Sequence, residues 1–478
     1  MKTVFRVLVI VLLAVAPLAA QAPDRGKPPA SGPAPALKLP AIQKRQLSNG
    51  LPVWMVELHE VPVVQVNLLV LGGSADDPAG KYGAASLMAS MLAEGAASRS
   101  SLEIADAIDF LGADLSASSA INSMGVRLHV PVARLVEALP IMADVALRPT
   151  FPASELERIR QQRLISLLQA RDDASTIASL AFSKMLYGGD HRFGTATMGT
   201  AETIKGFTVD DLKSFYAGMV RPENGALVVV GDIVPDRVVP LLESNFGMWK
   251  AQGAARARPA LTSPGQPVTR AVYIVDKPNA PQSQIRIGWI GVPRSTPDYF
   301  PILVMNTILG GAFSSRLNLN LREKHGYTYG ASSNFDMRVT AGPFTSAAGV
   351  QTDKTSESLT EFFNELNGML KPVPADELAR AKNYVALRFP SSFEATSDIS
   401  RRIEDMLVFK LPDDYYSRYV QYIQAVTVAD VQRVTQKYLA PDKFAVVVVG
   451  DRKTIEPAVR ALNLGAIKEL TLDEVFGK

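Results

Sequence analysis

An arginine and a tyrosine, seven residues apart in an otherwise apolar stretch, are the side chains best suited to chemistry in this sequence. They are Arg322 and Tyr329 in the segment 309–330, LGGAFSSRLNLNLREKHGYTYG. Arginine presents a rigid fork of hydrogen-bond donors, and tyrosine presents a hydroxyl. Together they suit a peptide carbonyl, a carboxylate or the oxyanion of an acyl transition state. The plainer interpretation is a surface ion pair between Arg322 and Glu323 beside a half-buried tyrosine.

A turn rich in small residues precedes this pair. It contains Gly310, Gly311, Ser314 and Ser315. Because glycine permits another chain or a ligand to approach the backbone closely, these four residues are candidates for substrate binding. The alternative is a plain connection between helices.

Composition limits the class of protein. At 478 residues and 47% hydrophobic, the chain is long enough to bury more than one core. The formal net charge of +3 falls to near +1 without the leader residues Lys2 and Arg6, so nothing in it indicates nucleic acid. Cysteine is absent, which excludes disulfides, cysteine zinc ligands and a thiol nucleophile.

The N-terminus has the layout of a secretory signal peptide. Lys2 and Arg6 precede an apolar run over 7–15 and the small residues of Pro17-Leu18-Ala19-Ala20. We expect residues 1–20 to be removed after Ala20, which predicts a periplasmic or secreted protein. The apolar run is too short to span a membrane, and no later stretch is long enough. Residues 21–42 are rich in proline and alanine and predict a disordered spacer.

Landmarks in the first part of the chain recur 219 residues later, which predicts an internal repeat. The matched residues are Pro62 with Pro281, Gln65 with Gln284, Pro222 with Pro441, and Gly231-Asp232 with Gly450-Asp451. We therefore expect an N-terminal domain over 43–252 and a C-terminal domain over 269–466. A linker rich in glycine, proline and arginine fills 253–268, and a C-terminal tail fills 467–478.

Strand-like and helix-like patterns are interleaved in both halves. β-branched, alternating stretches predict strands, and segments such as SELERIRQQRLISLLQA have the apolar spacing of helices. Because the short rhythm of a parallel doubly wound sheet is missing, we predict an α+β fold. Two homologous halves in tandem, each with largely antiparallel sheets flanked by helices, would form a clamshell with a ligand cleft.

One helical segment of the first half resembles a known metal-binding helix. The run KYGAASLMASML, which contains Gly83, is similar to the zinc-binding helix of the pitrilysin-like metallopeptidases, or inverzincins. In that family the helix carries H-x-x-E-H, two histidine ligands and a general base. Ser86, Ala89 and Ser90 stand at those positions here, and none of them can do that work.

The resemblance also implies a third zinc ligand, a glutamate about 75 residues further on. Aligning the Asp-rich turn of the segment LISLLQARDDAS with that of the family places Ser166 at this ligand position. The four histidines, His59, His129, His191 and His325, occur singly. We therefore expect no metal and no cofactor in this chain.

The second half resembles the family in the segment that contacts substrate. LREKHGYTYG resembles the family segment in which an arginine and a tyrosine, seven residues apart, reach the substrate carbonyl, and Arg322 and Tyr329 match that spacing. The residues 219 positions earlier, in the first half, are Glu103 and Phe110. The sequence therefore predicts that the fold itself does not require the pair.

The resemblance implies the zinc-less subunit of a heterodimeric metallopeptidase, inactive alone, whose homologous partner supplies H-x-x-E-H and zinc. Arg322 and Tyr329 would then contact a peptide substrate in trans. The alternative is a non-catalytic scaffold or peptide-binding protein with a peptidase-like fold. A third class, a serine hydrolase using Ser86 or Ser90, lacks a G-x-S-x-G motif and a His/Asp arrangement to supply its base.

Overall fold

Two six-stranded sheets form the framework of the computed structural model, which describes residues 39–259, 261–262, 264–266 and 270–477. The first sheet has the order β1-β2-β8-β3-β7-β6, and the second has the order β11-β12-β10-β13-β9-β14. Their strands, together with the short ribbon β4-β5, are β1 (Gln43–Gln46), β2 (Pro52–Glu57), β3 (Val63–Leu71), β4 (Gly95–Ala96), β5 (Arg99–Ser100), β6 (Asp114–Ser119), β7 (Ser123–Pro131), β8 (Gly225–Gly231), β9 (Ala271–Asp276), β10 (Gln282–Ile290), β11 (Thr328–Met337), β12 (Ala341–Gln351), β13 (Ala445–Gly450) and β14 (Ala466–Leu470).

Helices connect and cover these sheets. They are α1 (Ala84–Met91), α2 (Ser101–Phe110), α3 (Leu135–Leu147), α4 (Ala153–Ala170), α5 (Ala174–Tyr187), α6 (Ala201–Gly206), α7 (Val209–Met219), α8 (Pro235–Phe246), α9 (Tyr299–Asn306), α10 (Arg316–Asn318), α11 (Thr355–Gly368), α12 (Ala375–Arg388), α13 (Thr396–Phe409), α14 (Tyr419–Ala425), α15 (Val428–Tyr438), α16 (Arg452–Ala461) and α17 (Leu472–Phe476). No helix among the described residues is long and apolar enough to span a bilayer.

Most strand pairs are antiparallel, and β2 with β8 and β9 with its two neighbours are parallel. The same order of five strands occurs in both sheets, since β2-β8-β3-β7-β6 corresponds to β9-β13-β10-β12-β11. The sixth strand comes from opposite ends of the described chain, β1 in the first sheet and β14 in the second. Two tandem halves with mixed helices and largely antiparallel sheets confirm the predicted α+β class.

Each sheet is covered on one side by a helix from the other half. Helix α13 packs against β8 and β3, and α5 packs against β13 and β10. The packing of each helix on the sheet of the other half explains why the central strands VVQVNLLVL and GALVVVG are buried along both faces. Each fully buried valine or leucine there contributes about 1.5–3 kcal/mol.

The junction between the halves is filled by side chains. One apolar cluster joins Val228 and Val230 to Ile399 and Ile403. A polar contact adds to it, since the Arg127 guanidinium and the Asn67 amide both donate to the buried Glu404 carboxylate, at 2.9 and 2.7 Å. The ligand cleft of the predicted clamshell therefore does not run through this part of the junction.

Two terminal segments differ from the predicted boundaries. Residues 467–478 were expected to form a tail, but Ile467–Leu470 belong to β14, which pairs with β9 because its alternating side chains complete the sheet edge. At the other end, the predicted spacer 21–42 overlaps described residues 39–42. There Leu39 and Ile42 pack against an aromatic cluster of the second half, so the end of that segment is part of the fold. The predicted signal peptide 1–20 lies outside the described residues.

Candidate functional site

Helix α1 carries the three positions that the resemblance assigns to zinc chemistry. Gly83 caps the helix with φ of 101°, a left-handed conformation that glycine adopts without strain. The Asp77 carboxylate accepts hydrogen bonds from the backbone N–H of Gly83 and Ala85, at 2.7 and 2.8 Å. It also pairs with Arg192 at 2.9 Å, and both side chains are almost wholly buried. The N-terminus of α1 is thus fixed by a buried ion pair.

A guanidinium lies where the resemblance would place the metal. Arg163 on α4 is 9% exposed, and its Nη2 donates to the Ser86 Oγ at 3.1 Å and the Ser90 Oγ at 2.8 Å. The same nitrogen donates to the Ser86 carbonyl at 2.9 Å. Burial lowers the pKa of Arg163 to about 10, so the side chain is still cationic at neutral pH. The two serines therefore bind a protein cation.

These residues do not fit zinc. Ala89 has no ligand atom, and the hydroxyls of Ser86 and Ser90 accept from Arg163, whose charge would repel a second cation. Ser166 donates to the Gln162 carbonyl of its own helix at 3.0 Å. Among the described residues no group of three or more His, Asp or Glu side chains is arranged to hold a metal ion. No described histidine bonds to Ser86 or Ser90 either, so the serine-hydrolase class finds no base here.

Arg322 lies at the surface of the second half. Its side chain is 37% exposed, its guanidinium lies 4.6 Å from the ring centroid of Phe313, and its Nε is 3.3 Å from Glu323. The ion pair predicted by the plainer interpretation is therefore present, but it joins two exposed neighbours and contributes little to stability. The outer nitrogens of the guanidinium have no hydrogen-bond partner among the described residues.

Tyr329 is not half-buried as the plainer interpretation requires, since it is 90% exposed. It lies on the edge strand β11, where Thr328 pairs with Val350 but Ala331 pairs with Ala348. The extra residue makes a β-bulge at Tyr329 and Gly330, and bulges redirect side chains at sheet edges. The Tyr329 hydroxyl has no hydrogen-bond partner within the described ranges. It is a free donor at the protein surface.

Arg322 and Tyr329 are linked by a tight turn. The Gly326 N–H donates to the Arg322 carbonyl at 3.0 Å, and the Tyr327 N–H donates to the Leu321 carbonyl at 2.9 Å. Gly326 itself has φ of 66°, which favours glycine. The turn joins the helical segment of Arg322 directly to the edge strand of Tyr329.

The comparison of this pair with Glu103 and Phe110 was wrong in structural terms. Phe110 ends helix α2, whereas Tyr329 lies in strand β11. The strand that corresponds to β11 is β6, which begins at Asp114, whereas β11 begins at Thr328, five residues before the position that an offset of 219 gives. A constant offset of 219 therefore does not identify the equivalent residues at this point.

Only part of the predicted substrate turn is accessible. Gly311 and Ser314 are exposed, but Gly310 and Ser315 are buried. A Cβ at Gly310 would lie 2.3 Å from the Ser333 backbone nitrogen, so this glycine is needed for packing against β11. The prediction of substrate contact through Gly310 and Ser315 is wrong for this conformation, because β11 and the surrounding core cover them.

Three buried asparagines that the sequence analysis missed hold this region together. The Asn318 amide donates to the Phe313 carbonyl at 2.7 Å and its oxygen accepts from the Ala331 N–H at 3.3 Å, which ties the turn to β11. Asn306 exchanges hydrogen bonds with Ser333 in the same strand. Asn320 donates to Glu361 and Glu365 of α11. For Asn318 and Asn320, the available signal was their position as polar residues within the apolar run LNLNL.

Two π-helical turns flank the site, over Thr307–Gly311 and Leu319–Lys324. Such turns are uncommon and are found mostly at functional sites. The second one carries Arg322. Chemically, the site offers the outer nitrogens of a guanidinium and a phenolic O–H, all without hydrogen-bond partners among the described residues, on an open surface.

Comparison with known proteins identifies the family. A family model described as "Insulinase (Peptidase family M16)" matches residues 53–190, and one described as "Peptidase M16 inactive domain" matches residues 206–385. Together the two matches span more than half of the chain.

Relatives and solved structures agree with this match. An uncharacterized zinc protease of Mycobacterium leprae is 29% identical over 63% of this chain and 67% of its own. The uncharacterized zinc protease YmxG of Bacillus subtilis is 24% identical over 77% and 88%. A crystal structure described as a peptidase M16 inactive domain from Pseudomonas fluorescens superposes with a TM-score of 0.79 at 29% identity, covering 86% of this chain and 98% of that one. A protease from Helicobacter pylori gives a TM-score of 0.77 at 23% identity, covering 86% and 100%.

With M16 matches in both halves, and with Arg163 bound to two of the serines at the positions that the resemblance assigns to zinc chemistry, the chain belongs to the pitrilysin-like M16 peptidase family, as a member of its inactive type.

Proposed function

We propose that this protein is the zinc-less subunit of a heterodimeric metallopeptidase and that it completes the peptide-cleaving site of a zinc-bearing partner. The partner supplies zinc and the general base from an H-x-x-E-H helix. This chain supplies Arg322 and Tyr329 as hydrogen-bond donors to the substrate carbonyl, with Gly311 and Ser314 beside them. The assembly acts outside the cytoplasm, after removal of residues 1–20.

The proposal rests on a difference between the candidate sites of the two halves. In the first half, Arg163 closes the zinc-binding positions. In the second half, Arg322 and Tyr329 have donors without partners among the described residues, and Tyr329 is 90% exposed. A structural role would bury or pair such groups, whereas a role in trans leaves them accessible.

The exposed side chains around Arg322 and Tyr329 support the proposal that a second chain binds here. Phe313, Leu319 and Tyr329 are 60%, 46% and 90% exposed, and the Arg322 guanidinium lies over the Phe313 ring. Exposed aromatic side chains next to an arginine are typical of protein–protein interfaces. The names of the relatives as zinc proteases further support peptide cleavage as the activity of the assembly.

Co-expression with a homologous H-x-x-E-H chain tests the proposal. We expect a stable 1:1 complex by analytical ultracentrifugation at micromolar concentration, with cleavage of an unstructured peptide by the complex and not by this chain alone. Edman sequencing of the exported protein should begin at Gln21. Two chains that sediment separately would contradict the proposal. A complex whose rate equals that of the partner alone would instead favour the scaffold alternative.

A further inference from the structure

An aromatic cavity of about 290 Å³ lies in the second half, and neither Ser86 and Ser90 nor Arg322 and Tyr329 are among its lining residues. It is open on one side and is lined by α9, α12, α13 and the segment that leads into α14. Its volume suits one amino-acid residue or a small aryl compound.

Aromatic rings form much of the wall. Phe389 stacks on Tyr419 with ring centroids 4.2 Å apart, and Tyr415 meets Tyr416 edge to face at 5.1 Å. These contacts hold the rings in fixed positions, so the cavity offers preformed aromatic surface to a ligand.

Three guanidiniums share this cavity with a single carboxylate. Arg294, Arg388 and Arg402 line it together with Asp405. Arg402 is 3.5 Å from Asp405, whereas neither Arg294 nor Arg388 lies within ion-pair distance of a carboxylate in the described part of the chain. The lining therefore carries an excess of positive charge.

The two unpaired arginines are held by tyrosines. Arg294 lies 3.5 Å from the ring centroid of Tyr299 and donates to the Tyr415 hydroxyl at 2.5 Å, and Arg388 donates to the Tyr384 hydroxyl. Tyrosine accepts these bonds without neutralising the charge. Burial raises the pKa of the Tyr415 and Tyr416 hydroxyls, so both stay protonated and can donate to an acceptor.

From this arrangement we propose that the cavity is a binding site for a carboxylate with an aromatic or apolar body. The guanidinium of the unpaired Arg388 receives the carboxylate together with that of Arg402, whose carboxylate contact among the described residues is the long one of 3.5 Å to Asp405. The rings of Phe389, Tyr416 and Tyr419 receive the body. A free aryl acid and the C-terminal residue of a peptide share this chemistry. Gly311 also lines the cavity, so the site borders the predicted substrate turn.

Isothermal titration calorimetry on the purified mature chain tests the proposal without a partner. The probes are N-acetyl-phenylalanine, its amide, and N-acetylglycine. We expect the acid to bind at least tenfold more tightly than either control, because the amide lacks the charge and the glycine lacks the ring. A peptide that ends in phenylalanine distinguishes the sources: binding as tight as the acid identifies a chain terminus, and much weaker binding identifies a free acid.

Matched variants separate the cavity from a general charge effect. Arg402→Gln and Arg388→Gln should each weaken binding of N-acetyl-phenylalanine about tenfold or more. Arg401→Gln makes the same charge change one residue away, at an exposed position that does not line the cavity, and should change binding less than twofold. Circular dichroism confirms that each variant is folded. Equal binding of acid and amide, or equal effects of Arg401→Gln and Arg402→Gln, would overturn the proposal.

Discussion

The Nη2 of Arg163 donates to the Ser90 Oγ at 2.8 Å and so joins two helices at the place where the resemblance to the zinc-binding members of the family would put a metal. The side chain comes from α4 and the serine from α1. The Arg163 guanidinium is thus a fixed cation at the position where the sequence lacks zinc ligands. This contact leads directly to a prediction about metal.

The wild-type chain should hold no stoichiometric zinc after dialysis, as measured by elemental analysis. Replacing Ser86→His, Ser90→His and Ser166→Glu restores the ligand types but leaves the Arg163 guanidinium between them. We therefore expect this triple variant to bind zinc at least tenfold more weakly than the same variant with Arg163→Ala added. One tightly held zinc in the wild-type chain, or equal affinity of the two variants, would contradict this assignment.

The buried ion pair at the start of α1 should dominate the stability of that region. Asp77→Asn leaves Arg192 buried without its counter-charge and should lower the free energy of unfolding by about 3–5 kcal/mol. Asp211→Asn is the matched control, because its pair with Lys81 is partly exposed, and it should cost less than about 1 kcal/mol. Urea denaturation measures both. Similar losses of free energy of unfolding for the two variants would show that burial of the Asp77–Arg192 pair does not increase its contribution to stability.

Asp298 should make a pH-dependent contribution to the free energy of unfolding. Burial opposes its ionisation, but hydrogen bonds from Tyr438, Arg433 and Lys437 outweigh it and lower the pKa of Asp298 to about 2. The carboxylate therefore stabilises the folded state above its ordinary pKa, and this stability is lost as the pH falls toward about 2. Because Arg433 and Lys437 are half exposed, screening reduces the gain to about 1 kcal/mol.

Thermal unfolding of Asp298→Asn against wild type measures this contribution. The difference in free energy of unfolding should be largest near neutral pH and should shrink between about pH 4 and pH 2. A difference that stays constant across this range would mean that Asp298 acts through packing and not through its charge.

The class of fold was predictable because its signals are local. Alternating β-branched runs and helical apolar spacing fix strands and helices, and they gave the α+β halves correctly. The packing of α13 on the first sheet and α5 on the second was not predictable, because each helix binds a sheet from the other half. The nearly continuous apolar run of β8 was the available signal.

The candidate site was predictable only in part. The spacing of Arg322 and Tyr329 identified the pair, but no pattern in the sequence reveals a β-bulge at Tyr329 or a π-helical turn at Arg322. The role of Arg163 was hidden for a similar reason. Its side chain meets Ser86 and Ser90 only through the packing of α4 on α1, which sequence spacing does not report.

The central claim is that Arg322 and Tyr329 act on substrate bound to the partner. Arg322→Lys keeps the charge but loses the planar fork, and Tyr329→Phe keeps the ring but loses the donor. The loss of one oxyanion donor typically costs about 10² to 10³ in kcat, or roughly 2.7–4 kcal/mol. Tyr327→Phe and Glu323→Gln are the matched controls, since they change the neighbouring phenol and the ion pair of Arg322.

The kcat of the reconstituted complex with each variant, at unchanged complex stability and unchanged zinc content of the partner, tests this claim most directly. We predict a fall of about 10²-fold or more for Arg322→Lys and for Tyr329→Phe, mainly in kcat because the interaction strengthens in the transition state, and less than about threefold for the two controls. If both site variants leave kcat within about twofold of wild type while the complex is intact, Arg322 and Tyr329 do not contribute to catalysis and the subunit is a scaffold.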